Sequence, residues 1–176
     1  MKRIIILTGI IVCGIILFLI YAIVGKLEIV KENEKKESIL PQICLNSINN
    51  EYFCLNDLLN KPILVIYFGT ECSYCEKEAV LLLSNLDKLK DCNIVMISSD
   101  TESAVNSFAV KFEIKEVEEI RIASDTTMTF YDNFSHINIP SIFIYDKSGN
   151  LRQRFFGETS IEDILNQISI AKKDNS

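Results

Sequence analysis

The longest apolar run opens the chain. Residues 4–24 are 21 positions without a charge, following Met1-Lys2-Arg3. A helix of that length rises roughly 30 Å, the thickness of a bilayer core. The run exceeds the apolar core of a cleaved signal, and no small-x-small cleavage site follows it. Cys13 lacks a small residue before it, as lipoprotein processing would need, and reads as a small apolar residue in lipid. The pattern predicts a transmembrane anchor over residues 1–25. Residues 26–38 (KLEIVKENEKKES) are mostly charged and read as a linker or stalk. A folded domain is expected over 39–176.

Within that domain the pattern changes repeatedly. Ile43-Cys44-Leu45 and Tyr52-Phe53-Cys54 flank the turn formers Asn46 to Asn50, which predicts a hairpin. Cys44 and Cys54 would lie near each other across it and could form a disulfide, but a slip of one residue would put them on opposite faces, and two small buried thiols suit the pattern equally. The run PILVIYF (62–68) is continuously apolar, as suits a central strand buried on both faces. From Glu76 to Lys90 apolar residues recur at Ala79, Leu82, Leu83, Leu86 and Leu89, which is helical spacing. Ile94 to Ser98 reads as a strand. Asp100 is expected to cap a helix to about Phe112, with Ala104, Phe108 and Phe112 on one face. A strand at 121–123 and a short helix capped by Asp125 follow. SIFIY (141–145), the turn Asp146 to Gly149 and Leu151 to Phe156 read as a second hairpin. Thr159-Ser160 caps a last helix with a stripe of Ile161, Ile164, Leu165 and Ile168. This order predicts an α/β domain around a mixed sheet.

Charge narrows the partners. The net charge is −6 and no basic patch is visible, which argues against nucleic acid. Charge does not orient the anchor. Lys2 and Arg3 precede it, and Lys26, Lys31, Lys35 and Lys36 follow. An extracytoplasmic domain on the cytoplasmic membrane is expected instead from the N-terminal position of the span and from the chemistry.

That chemistry centres on Cys72-Ser73-Tyr74-Cys75, which follows the buried strand and opens a helix. A helix N-terminus supplies free N–H groups and favours a thiolate. Cys72, the more exposed thiol, would attack a partner disulfide, and Cys75 would resolve the mixed disulfide. Glu71 and Glu76 bring negative charge near the pair and lean it toward reduction. Half a zinc site is the other meaning of such spacing. Cys92 lies at the far end of the expected helix, roughly 25 Å away at 1.5 Å per residue, and cannot complete one. No cofactor and no metal are expected. Ile139-Pro140 stands directly before SIFIY, where a cis bond would leave backbone free to pair with an incoming strand.

These features together resemble the thioredoxin fold. Residues 42–170 look more narrowly like the TlpA/ResA-type membrane-anchored thiol–disulfide oxidoreductases, related to the AhpC/TSA group. The motifs that carry the likeness are the hairpin at 43–54, Asn60-Lys61-Pro62, the CxxC, Ile139-Pro140-Ser141 and Asp146-Lys147-Ser148-Gly149. The resemblance implies a thioredoxin-like fold with an N-terminal hairpin, a cis Pro140 facing the cysteines and thiol exchange outside the cytoplasm. It implies protein thiol or disulfide substrates and a membrane or envelope electron donor. Glu71 departs from the usual aromatic residue before the first Cys, and Ser73-Tyr74 lacks the usual Pro. Two other classes remain open. One is a copper- or metal-binding chaperone of the same fold using Cys72, Cys75 and His136. The other is a non-enzymatic envelope protein.

Overall fold

The computed structural model describes residues 14–22, 24–25, 37–134 and 138–173. The chain divides into two units, Met1–Lys35 and Lys36–Ser176. In the first, residues 14–22 and 24–25 are helical. Among the described residues no helix is long and apolar enough to cross a membrane. Residues 1–13 and 23 of the expected anchor and 26–36 of the expected linker lie outside the described residues. Glu37 and Ser38, assigned to the linker from sequence, belong to the folded unit. Glu37 is buried against Arg154 (2.5 Å), and the Ser38 carbonyl accepts from Leu151 N–H.

The second unit opens with the hairpin, β1 (Cys44–Asn46) and β2 (Tyr52–Cys54), with Cys44 opposite Cys54. The central strand β3 (Ile63–Tyr67) is buried at every position, as its unbroken apolar run requires. It pairs in parallel with β4 (Asn93–Ser98) and antiparallel with β6 (Ser141–Tyr145). β5 (Ile120–Ser124) joins β4 in parallel, and β7 (Leu151–Phe156) joins β6 antiparallel. The sheet order is β5-β4-β3-β6-β7. This is the mixed α/β sheet expected from the pattern.

Alternate side chains of the sheet feed two cores. Leu64, Ile66, Ile94, Met96, Ile142 and Ile144 face α1 (Ser73–Leu83), α3 (Glu102–Lys111) and α5 (Ile161–Lys173). Ile63, Val65, Tyr67, Val95, Phe143 and Tyr145 face the hairpin and α4 (Thr129–Asp132), where Phe130 and Phe134 pack. The β6–β7 turn is held by buried Asp146, which accepts from Ser148 and Asn150 N–H groups and pairs with Arg152. Gly149 supplies the left-handed residue this turn needs (φ +80°).

Local expectations change at three of the helices. The helix expected over 76–90 starts at Ser73 and stops at Leu83, and a separate short turn, α2 (Leu86–Leu89), follows. Ser84 Oγ donates to Val80 C=O and Asn85 Nδ2 to Leu81 C=O, side-chain bonds that compete with the helical ladder. Thr101, not Asp100, caps α3, its Oγ1 accepting from Ala104 N–H. The α3 buried face is Val105, Phe108 and Ala109, which leaves Ala104 and Phe112 on its flank. In the last helix Leu165 is half-buried and Ala171 completes the stripe.

Candidate active site

The site forms where β3 ends. Phe68-Gly69-Thr70-Glu71 carries the chain from the sheet to α1, and Cys72 is the residue before that helix. Its backbone is extended, and its Sγ accepts from Cys75 N–H at 3.3 Å. The sulfur therefore faces the free N–H groups of the helix start. Cys72 is half-buried. Cys75, on the inner face of α1, is buried. Both are free thiols. Gly69 N–H donates to Cys75 Sγ at 3.5 Å. Burial, together with the contact to Cys72, pushes the Cys75 thiol far above the usual thiol range.

Glu78 is the residue that sequence reasoning missed. It lies three residues after Cys75 on the same buried face of α1 and is only 2 % exposed. Burial pushes its carboxyl up to about 7. The Thr159 N–H opposes that shift, and the charge of Glu158 adds to it. Among the described residues Glu78 Oε1 has no hydrogen-bond partner. Its charge acts on Cys75, raising that thiol further. The signal was a carboxylate at helical spacing on the stripe Cys75, Ala79, Leu82. Burial thus brings the carboxyl toward neutrality one helical turn from a thiol that resists ionising.

A second polar anchor holds the loop itself. Asp100 Oδ2 accepts from both Thr70 N–H and Thr70 Oγ1. Asp100 is in turn fixed by its N–H to Ser98 Oγ and its carbonyl to Ser124 Oγ. Glu76, expected to bring charge to the thiols, is paired with Lys111 at 2.6 Å. Glu71 is exposed.

Ile139-Pro140 faces the pair from the start of β6. The peptide bond is cis, and Cys72 Sγ lies 3.9 Å from the Ile139 carbonyl oxygen. A Cβ on Gly69 would lie 3.4 Å from Ile139 Cγ2 and 3.7 Å from Cys72 Cβ, so the glycine lets the two approach. A groove of about 500 Å³ runs past Cys72, lined by Gly69, Thr70, Glu71, Asp100, Thr101, Ala104 and Ile139. Three of the four expected site residues, Cys72, Cys75 and Ile139, thus meet around one sulfur, with Pro140 directly behind.

The remaining thiols are elsewhere. Cys92 is buried, donates to Leu89 C=O, and is pushed up to about 12 by burial. Cys44 and Cys54 form a disulfide. His136 lies outside the described residues, as does any set it would complete. Among the described residues no group of three His, Cys, Asp or Glu is placed to hold a metal ion.

Comparisons with known proteins identify the family and the fold. The model of the AhpC/TSA family matches residues 37–154. "Thiol-disulfide oxidoreductase ResA" of a Bacillus cereus strain (ZK) is 28% identical over 169 residues, covering 92% of this chain and 90% of its own length. The protein of that name from Bacillus subtilis (strain 168) is 24% identical over 173 residues, covering 95% and 94%. Among solved structures, MTB dsbF in its mixed oxidized and reduced forms has a TM-score of 0.66. It is 20% identical, with 76% of this chain and 99% of that chain covered. The exposed lipoprotein thioredoxin Etrx1 from Streptococcus pneumoniae strain TIGR4 has a TM-score of 0.62 at 14% identity, covering 74% and 99%. These neighbours share the thioredoxin-like fold.

Proposed function

This chain belongs to the AhpC/TSA family and is a thiol–disulfide oxidoreductase, and on that premise we propose that it reduces or exchanges disulfides of proteins outside the cytoplasm while tethered to the membrane. One observation carries the reading. A half-buried Cys72 sulfur faces a helix N-terminus and the Ile139 carbonyl, with a buried Cys75 and Glu78 behind it.

The steps follow from that layering. A client strand lies along Ile139-Pro140 and brings its disulfide to Cys72. The Cys72 thiolate attacks one client sulfur. A mixed disulfide forms and the other client sulfur leaves as a thiolate. The helix start faces the sulfur that carries charge before attack. Cys75 must then lose its proton to resolve the mixed disulfide, and its burial opposes this. Glu78 accepts that proton as Cys75 attacks Cys72 Sγ, closing the Cys72–Cys75 disulfide and releasing the second client thiolate. A membrane or envelope dithiol donor returns the pair to its reduced form.

The apolar run at 4–24 supports tethering. The Cys44–Cys54 disulfide supports an extracytoplasmic domain, because such bonds persist in oxidising compartments. Insulin-disulfide reduction by the full chain tests the reading. Activity is expected in the native chain and lost in Cys72→Ser. Undiminished activity in Cys72→Ser overturns it.

A further inference from the structure

We propose that the Cys44–Cys54 disulfide is a second exchange site, reduced by an incoming protein dithiol, and not a staple of the fold. The proposal does not rest on the function assigned to Cys72 and Cys75.

The first observation is where the bond sits. Leu45 and Phe53 point into the core, whereas Cys44 and Cys54 lie on the other face of the same two strands. Cys44 is exposed and Cys54 half-buried. Exposed disulfides are more easily reduced than buried ones.

The second is that the hairpin is secured without it. Ile43, Leu45, Phe53 and Leu55 are buried in the core beneath the sheet. Leu55 N–H bonds Ile43 C=O, and Ser47 N–H bonds Glu51 C=O. Ile48 N–H bonds Ile122 C=O, and Ser47 bridges Ala123, so the hairpin turn is fastened to the β5 edge. Opening the disulfide leaves all of these in place, so the bond can cycle in the folded chain.

The third is room for a partner. A groove of about 510 Å³ adjoins Cys44, walled by Asn46, Asn50, Glu102, Thr126 and Thr127. Glu102 lines this groove and its neighbour Thr101 lines the groove beside Cys72. The two grooves flank one turn at the start of α3.

A donor thiolate attacks Sγ of Cys44, the more exposed residue of the two. The Cys44–Cys54 bond breaks and Cys54 leaves as a thiolate. The donor's second thiolate attacks the donor sulfur of the mixed disulfide, releasing Cys44. Two electrons pass from the donor dithiol, which ends as a disulfide. Its two protons end, through solvent, on Cys44 and Cys54.

The test uses the full-length Cys72→Ser/Cys75→Ser/Cys13→Ser variant in mild detergent, so that Cys92 is the one cysteine left beside the Cys44–Cys54 pair. The folded variant is incubated with reduced thioredoxin as the protein dithiol, or with reduced glutathione at equal thiol concentration. Alkylation and mass measurement then count thiols against an untreated control. Cys92 is buried in both arms. The expected result is a gain of two alkyl groups per chain, at least about tenfold faster with thioredoxin, and unchanged circular dichroism. Hydrogen exchange at the Leu45 and Ile48 amides should stay slow after reduction. Reduction only in denaturant overturns the proposal. So does no advantage of the protein dithiol, or loss of amide protection on reduction.

Discussion

Asp100 Oδ2 holds Thr70 twice, accepting from its backbone N–H and from its hydroxyl, each at 2.7 Å. The two residues are far apart in sequence and stand on neighbouring parallel strands' exits. The pair ties the loop that carries Cys72 to the end of β4. Burial pushes the Asp100 carboxyl up, but the Thr70 and Ser98 bonds outweigh it and leave it below the usual carboxylate range. Its stabilisation is therefore present above the unfolded value of 3.8 and is lost as pH falls through the lower folded value. Thr70→Val keeps the N–H bond and strands one acceptor site. It should cost about 1–2 kcal/mol in urea unfolding and slow insulin reduction several-fold. An unchanged rate would show that the loop needs no such anchor.

Glu78 predicts a pH dependence of opposite sign. Its folded carboxyl titrates at about 7, above the ordinary 4.5. The folded chain therefore binds the proton more tightly than the unfolded chain between those values. Stability should fall as pH rises from about 4.5 to about 7 and level off above, by an amount of a few kcal/mol at about 1.4 per unit. Glu78→Gln should abolish that slope in denaturant titrations across this window. It should also slow resolution of the mixed disulfide roughly a hundredfold, the lower end of the usual contribution of a general base. A Gln variant with the parent slope and resolution rate would remove Glu78 from the mechanism.

Gly69 lies beside both Ile139 and Cys72. Gly69→Ala puts a Cβ 3.4 Å from Ile139 Cγ2, so Ile139 must yield by a few tenths of an ångström. The expected outcome is a raised KM for a protein disulfide, with a melting temperature within a few degrees of the parent. An unchanged KM would mean that this approach does not shape the client groove.

Phe130 tests the other core. It is fully buried, stacks on Tyr67 at 5.5 Å and on Phe134 at 4.3 Å, and meets Phe143 edge-on. Phe130→Ala should cost about 3–5 kcal/mol in denaturant unfolding. Cys75 packs on the opposite side of the sheet, so the folded fraction should keep its rate of insulin reduction.

What was legible in the sequence had a local signature. PILVIYF announced the buried central strand, since a strand covered on both faces needs no alternation. The hairpin and the CxxC at a helix start were legible for the same reason: each is written in adjacent residues. The Asp100–Thr70 clamp was not. Asp100 looked like a helix cap, a role a neighbouring Thr101 could equally fill, and only the parallel pairing of β3 and β4 brings Asp100 to Thr70. Glu78 stands on the helical stripe of Cys75, Ala79 and Leu82, but its residue type carries no sign of burial, and only the packing of α1 against the sheet encloses it. The break at Ser84-Asn85 was likewise masked by the regular spacing of Leu82, Leu86 and Leu89 across it.

The most direct test of the account is covalent trapping. The Cys75→Ser chain, with Cys72 intact, is incubated with oxidised protein clients and resolved without reductant. Adducts joined through Cys72 and released by dithiothreitol should accumulate, and Cys72→Ser should give none. Equal adducts from both variants, or none from Cys75→Ser, would contradict the assignment of Cys72 as the attacking thiol and Cys75 as the one that resolves it.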